Sequence, residues 1–164
     1  MSARYTASDI ANWFLGAIDR DAGDAITHLK LQKLVYYAQA WSLALPKRGY
    51  ALFDEELQAW AHGPVAESVF HEYKGNAWDA LPAPNRVPDI AEDDAAHLQE
   101  ILSVFGEYSA KQLERMTHSE APWLVARGDL PPEARSNAVI DKGLMAAFYG
   151  DLYERAGNEQ GQAA

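Results

Sequence analysis

Residues 29–45 read LKLQKLVYYAQAWSLAL, followed by LFDEELQAWAHGP at 52–64 and VAESVFHEYK at 65–74. In the first block Leu31, Leu34, Val35, Ala38, Trp41, Ser42 and Leu45 fall within an arc of roughly 120° at ~100° per residue, the pattern of a buried helical face. The spacing predicts a helix starting near Thr27, running to Leu45 and stopped by Pro46, and makes it the main core helix. Tyr36 and Leu43 lie far outside the arc and near each other, so the helix is expected to meet neighbours on a second side. Lys30, Gln32 and Lys33 are expected at its wetter N-terminal end. In the next block, Leu52-Phe53 and Leu57–Ala61 are bracketed by Gly49 and by His62-Gly63-Pro64, and the second piece alternates weakly, which predicts a short two-stranded element. Pro64 is placed in the first turn of the following helix, where its missing N–H costs nothing, and Val65, Val69 and Tyr73 line one face of that helix up to Gly75.

Upstream, Thr6 caps a helix whose Ile10, Trp13, Phe14, Ala17 and Ile18 form one apolar stripe, and Asp21-Ala22-Gly23-Asp24 is the loop after it. Downstream, residues 75–90 carry three prolines and no helical period, so they read as a long surface connection. A helix with Leu98, Ile101, Leu102 and Phe105 on its buried side follows, with Glu92-Asp93-Asp94 at its positive end and Gly106 at its close. Ser109 to Gln112 has the capping-box form and starts a short helix with Leu113 and Met116. Pro122 suits the first turn of another helix, beginning at Trp123, and Asp141 caps the last, which buries Leu144, Met145, Phe148, Tyr149 and Leu152. The expected architecture is mainly α: a single compact helical domain of about six to seven helices over residues 1–155, with a flexible tail at 156–164.

The chain has 164 residues, 48% hydrophobic and 11% aromatic, enough for one domain with a real core. No apolar run approaches the ~18 residues that would span a bilayer, and the N-terminus lacks the pattern of a signal peptide, so a cytoplasmic protein is expected. Cysteine is absent, which removes disulfides, thiolate nucleophiles and Cys-based zinc sites. The formal net charge of −10 repels phosphate backbones, so direct nucleic-acid binding is disfavoured, whereas a basic protein partner would suit it.

The sequence carries no G-x-S-x-G elbow, no G-x-G-x-x-G, no P-loop and no H-E-x-x-H. Glu67 with His71 and Asp93 with His97 have the i, i+4 spacing of a carboxylate–imidazole pair, which ordinary surface contacts also produce. His62 precedes a helix start near Glu67, and its reading as a turn-stabilising hydrogen bond stands beside one as acid or base in a small metal-dependent hydrolase with Glu67 and His71. No nucleophile is identifiable nearby. The aromatic group Tyr36, Tyr37, Trp41 and Trp60 reads chiefly as core, although Tyr37 lies at the margin of the apolar arc where a groove could form.

LKLQKLVYYAQAW, LFDEELQAWAHGPV and VFHEYK, in that order and at those separations, together with a weaker THSEAPW element at 117–123, resemble the Panacea-domain proteins. These are bacterial and phage-borne antitoxins that include the SocA-type proteolytic adaptor and phage-associated GepA-like proteins. The resemblance spans about residues 5–155. It implies a non-enzymatic antitoxin that binds a cognate protein toxin, usually encoded beside it, and in SocA-type members hands that toxin to the ClpXP protease. No metal or other cofactor is expected. The partner-binding candidates are Lys33, Tyr37, Trp41, Trp60, His62, Gly63, Pro64 and Tyr73, because the resembling blocks lie there and aromatic residues make good anchors. The protease-tethering candidates are Ala163 and Ala164, at the end of the expected tail. A general helical interaction module is the remaining alternative.

Overall fold

The computed structural model describes residues 3–76 and 79–163. Its elements run α1 (Ala7–Ala17), α2 (His28–Ala44), β1 (Leu57–Trp60), β2 (Gly63–Ala66), α3 (Glu67–Tyr73), a 3₁₀ turn (Lys74–Asn76), α4 (Glu92–Phe105), α5 (Ala110–His118), α6 (Ala121–Arg127) and α7 (Lys142–Ala163). The protein is mainly α, with seven helices and one antiparallel two-stranded sheet among the described residues. None of those helices is long and apolar enough to cross a membrane.

Local chemistry accounts for the start of four of the seven helices among the described residues. Thr6 and Asp9 form a reciprocal capping box at α1, Ser109 and Gln112 another at α5, and the Thr27 hydroxyl accepts from the Lys30 amide at α2. The Asp141 carboxylate accepts from the Leu144 amide at the start of α7. Helix α6 begins at Ala121 and places Pro122 in its first turn, two residues earlier than expected. Helix α7 continues through the segment expected as a tail, and residues 151–158 are exposed along it.

Helix α2 is the axis of the fold. It packs against α7, β2, α1, α4, α5 and α3, and is buried nearly all round. The second side that Tyr36 indicates is real: Tyr36 and Tyr37 are both fully buried, next to Tyr149 of α7. That second side also corrects the expectation for Gln32 and Lys33, which are 2% and 0% exposed. At helical spacing Lys33 shares its face with Tyr36, Tyr37 and Ala40, so once that face is covered the lysine is covered too. At the other end of the core, Asp94 is buried and receives the Tyr5 hydroxyl at 2.7 Å, the Arg48 guanidinium at 2.6 Å and the Tyr50 hydroxyl. Burial alone would raise its pKa, but the hydrogen bonds from Tyr50, Tyr5 and Arg48 outweigh burial and hold it below the usual value. The connection after α3 is pinned where Leu81 donates its amide to Ile26 and buries its side chain.

Pro64 departs from expectation, since it lies inside β2 and α3 starts only at Glu67. Pro64 stands opposite Ala59, whose own N–H points outward to the Ala138 carbonyl at 2.8 Å. At such a pair the ladder asks for no N–H, so the proline fits the strand without loss.

Candidate functional site

The β1–β2 hairpin is joined by a two-residue turn, Ala61-His62, and the rest of the fold is arranged to hold it. Its outer edges are already occupied. Along β2, Gln32 pairs with both the amide and the carbonyl of Ala66 at 2.9 and 3.3 Å, and Lys33 Nζ donates to the Pro64 carbonyl at 3.1 Å. Along β1, the Ala138 carbonyl and Ile140 amide bond Ala59 and Leu57, while Arg127 donates to the Ala59 carbonyl at 2.9 Å. An incoming strand would find these groups taken, so recognition here would have to use side chains.

Beneath the turn the packing is close. Gly63 has φ 109°, and a Cβ there would stand 2.5 Å from Lys33 Cε and 3.0 Å from Thr117 Oγ1. Glycine is therefore required twice, by conformation and by space. The buried Lys33 ammonium is pushed down to about 7 by loss of water, with Glu114 pulling the other way. Glu114 binds His62 Nδ1 at 2.8 Å and Lys111 at 3.1 Å. Burial would raise the Glu114 pKa, but these bonds dominate and hold it low. Trp123 Nε1 donates to the Trp60 carbonyl at 2.8 Å. The Trp123 ring is stacked on by His118 at 4.0 Å and approached by the Arg127 guanidinium at 4.8 Å.

Above the turn the surface is open. The His62 side chain is 66% exposed. Two grooves flank it, both lined by Trp60, His62 and Phe70. The larger, about 800 Å³, has Glu133, Arg135, Ser136 and Asn137 as its far wall, and the smaller, about 310 Å³, is closed by His28, Leu29, Val65 and Lys74. Trp60 and Phe70 meet edge to face with ring centroids 4.8 Å apart. Arg127 fixes the far wall by donating to the Pro131 and Ala134 carbonyls at 2.7 and 2.6 Å.

The residues singled out in the sequence thus separate by depth. Trp60 and His62 are on the open side, Lys33, Gly63 and Pro64 are buried under the turn, and Tyr37 is deeper still, donating to Glu120 at 2.8 Å beside Tyr149, which donates to the same oxygen at 2.9 Å. Burial raises the Glu120 pKa despite those bonds. Trp41 is half-buried against Tyr149, and Tyr73 bonds Asn12 on α1. Ala164 lies outside the described residues, as does the side chain of Ala163.

The carboxylate–imidazole pairs resolve differently from one another. Glu67 and His71 stand 3.4 Å apart on the surface of α3, whereas His97 turns inward and donates to the Ala38 carbonyl at 2.9 Å, away from Asp93. His62 pairs with Glu114, so His62, Glu67 and His71 are not drawn into one set, and among the described residues no group of three or more His, Cys, Asp or Glu is placed to hold a metal. Sequence reasoning missed Glu114, Thr117 and Phe70. Glu114 and Thr117 lie about fifty residues beyond the turn, and nothing local links them to it. Phe70 follows Val69 on α3, and only the neighbouring hairpin makes its side of the helix matter.

The class of protein is thus a helical domain built round one buried central helix, with a short hairpin braced from within. Residues 31–124 match the family described as Antitoxin SocA-like, Panacea domain, and the chain belongs to that family. The matched stretch holds Lys33, the whole hairpin, α3, Glu114, Thr117 and Trp123, but not Arg127 or the groove wall at 133–137. Comparisons with curated proteins and with solved structures gave no match.

Proposed function

We propose that the chain is an antitoxin that neutralises a protein toxin by direct contact, and that the contact centres on the Ala61-His62 turn. The observation that supports this surface is that the turn is gripped from beneath by Lys33, Thr117, Glu114 and Trp123 while His62 stands in solvent between two grooves. An element already held in its bound shape loses little conformational freedom on association. In this reading Trp60, His62 and Phe70 touch the toxin, and Lys33, Gly63 and Pro64 set where the turn stands. Tyr37, Trp41 and Tyr73 brace the helices behind it. The role is one of binding without chemistry, exercised in the cytoplasm. A hydrolase of His62, Glu67 and His71 is the weaker reading, since those side chains are split between different partners.

A second reading extends the first, with the bound toxin delivered to ClpXP. The exposed residues 151–158 favour it, because that stretch of α7 presents its side chains to a second partner, with Ala163 and Ala164 proposed as the tether. Co-expression with the product of the adjacent gene, scoring growth and toxin level with and without ClpXP, tests both. Rescue with toxin lost only when the protease is present makes the chain an adaptor, rescue with toxin persisting in a complex makes it a sequestering antitoxin, and no rescue refutes the proposal.

A further inference from the structure

We infer that the partner segment received beside the Ala61-His62 turn is basic, with an aromatic or aliphatic anchor; this rests on the docking surface proposed above. The grooves supply the apolar half of the argument through Trp60 and Phe70. The polar half begins at the Trp60 indole, which donates to Gln58 Oε1 at 2.8 Å while Gln58 donates on to Glu67 Oε2 at 2.9 Å. Glu67, 53% exposed at its side chain, opens a band of carboxylates. Ser68 leads from it to Glu55, which also accepts the Ala7 amide, and Ser8 leads to Glu72. Glu56, 52% exposed, stands next in the chain to Glu55.

The positive groups facing this band among the described residues are few. Lys142 pairs with Glu56 at 3.3 Å, and His71 lies 3.4 Å from Glu67. Lys74 closes the smaller groove, and Arg135 on the larger one has Glu133 on the same wall. Among the described residues Glu67, Glu55 and Glu72 otherwise accept only from neutral side chains or backbone amides, so the band keeps net negative charge, and Glu67 brings it up to the cleft through Gln58 and Trp60. The chain as a whole, at a net charge of −10, has the same sign as this band. A segment that seats an apolar side chain in a groove against the Trp60 and Phe70 rings, lays an arginine or lysine over Glu67 and carries further basic residues along the band toward Glu72 satisfies both halves, and an acidic segment would be repelled.

The test uses the full chain and three short labelled peptides: one with arginines around a central tryptophan, one with those arginines changed to glutamates, and one with the tryptophan changed to alanine. Fluorescence polarisation should report binding of the arginine–tryptophan peptide alone, weakening as salt rises to several hundred millimolar. Glu67→Lys combined with Glu72→Lys should weaken it roughly tenfold, while Glu100→Lys combined with Glu107→Lys, the same charge change elsewhere, should not. Binding of the glutamate peptide, equal loss in both pairs, no loss in the first pair, or no binding by the arginine–tryptophan peptide overturns the inference. Titrating the same proteins and His62→Ala with the product of the adjacent gene separates the two claims. Loss in His62→Ala but not in Glu67→Lys with Glu72→Lys leaves the docking surface standing and its charge chemistry wrong. Unchanged affinity in His62→Ala means the surface itself is misplaced.

Discussion

An ammonium without access to water must be paired or give up its proton, and Lys33 has one carbonyl and a nearby carboxylate to work with. Folded, it releases its proton near pH 7, and unfolded near 10.5. Between those values the unfolded chain holds more protons, so this group makes the folded state gain stability as pH rises through the window, while below pH 7 its penalty is constant. Denaturant titrations at intervals from pH 7 to pH 10 should show that rise, and Lys33→Met should flatten it. Gly63→Ala should cost about 2–4 kcal/mol, read as a lower urea midpoint, because a positive φ and a side-chain clash are both incurred. Neither position is conspicuous in a linear reading. Lys33 looks like a solvated residue near a helix start, and only the burial of Tyr36 on the same face places it inside the protein.

At the scale of elements, boundaries set by local chemistry were legible: Thr6, Thr27 and Ser109 cap helices because a short polar side chain before an apolar period has one good use. Pro64 was ambiguous, since a proline suits both a helix start and a strand position that donates nothing, and only the register of the hairpin decides between them. Half of the candidate site was legible in the same way. Trp60 and His62 stand out beside a Gly-Pro turn, whereas the brace of Glu114, Thr117 and Trp123 depends on chain crossings that no spacing encodes. The end of α7 belongs at this scale too. Deleting residues 156–164 should leave toxin affinity unchanged and, if the chain is an adaptor, abolish ClpXP-dependent loss of the toxin in a pulse-chase experiment. Degradation at the normal rate would remove the tail from the mechanism.

At the scale of the whole molecule, the helical body holds one short turn in place from three sides. Helix α2 contributes Gln32 and Lys33 to one edge of the hairpin, α6 contributes Trp123 and Arg127 to the other, and α5 contributes Glu114 and Thr117 from below. Stiffness at the turn is thus a property of the packed core, and destabilising the core should weaken recognition before the protein unfolds. For a partner segment that is basic, as inferred above, the large negative charge should speed approach in a salt-dependent way. The most direct test is a hydrogen-exchange comparison of the full chain alone and in complex with the product of its adjacent gene. Added protection should concentrate in residues 57–74 and reach 133–137; protection confined to other surfaces, with the hairpin and α3 unchanged, would contradict docking at the Ala61-His62 turn.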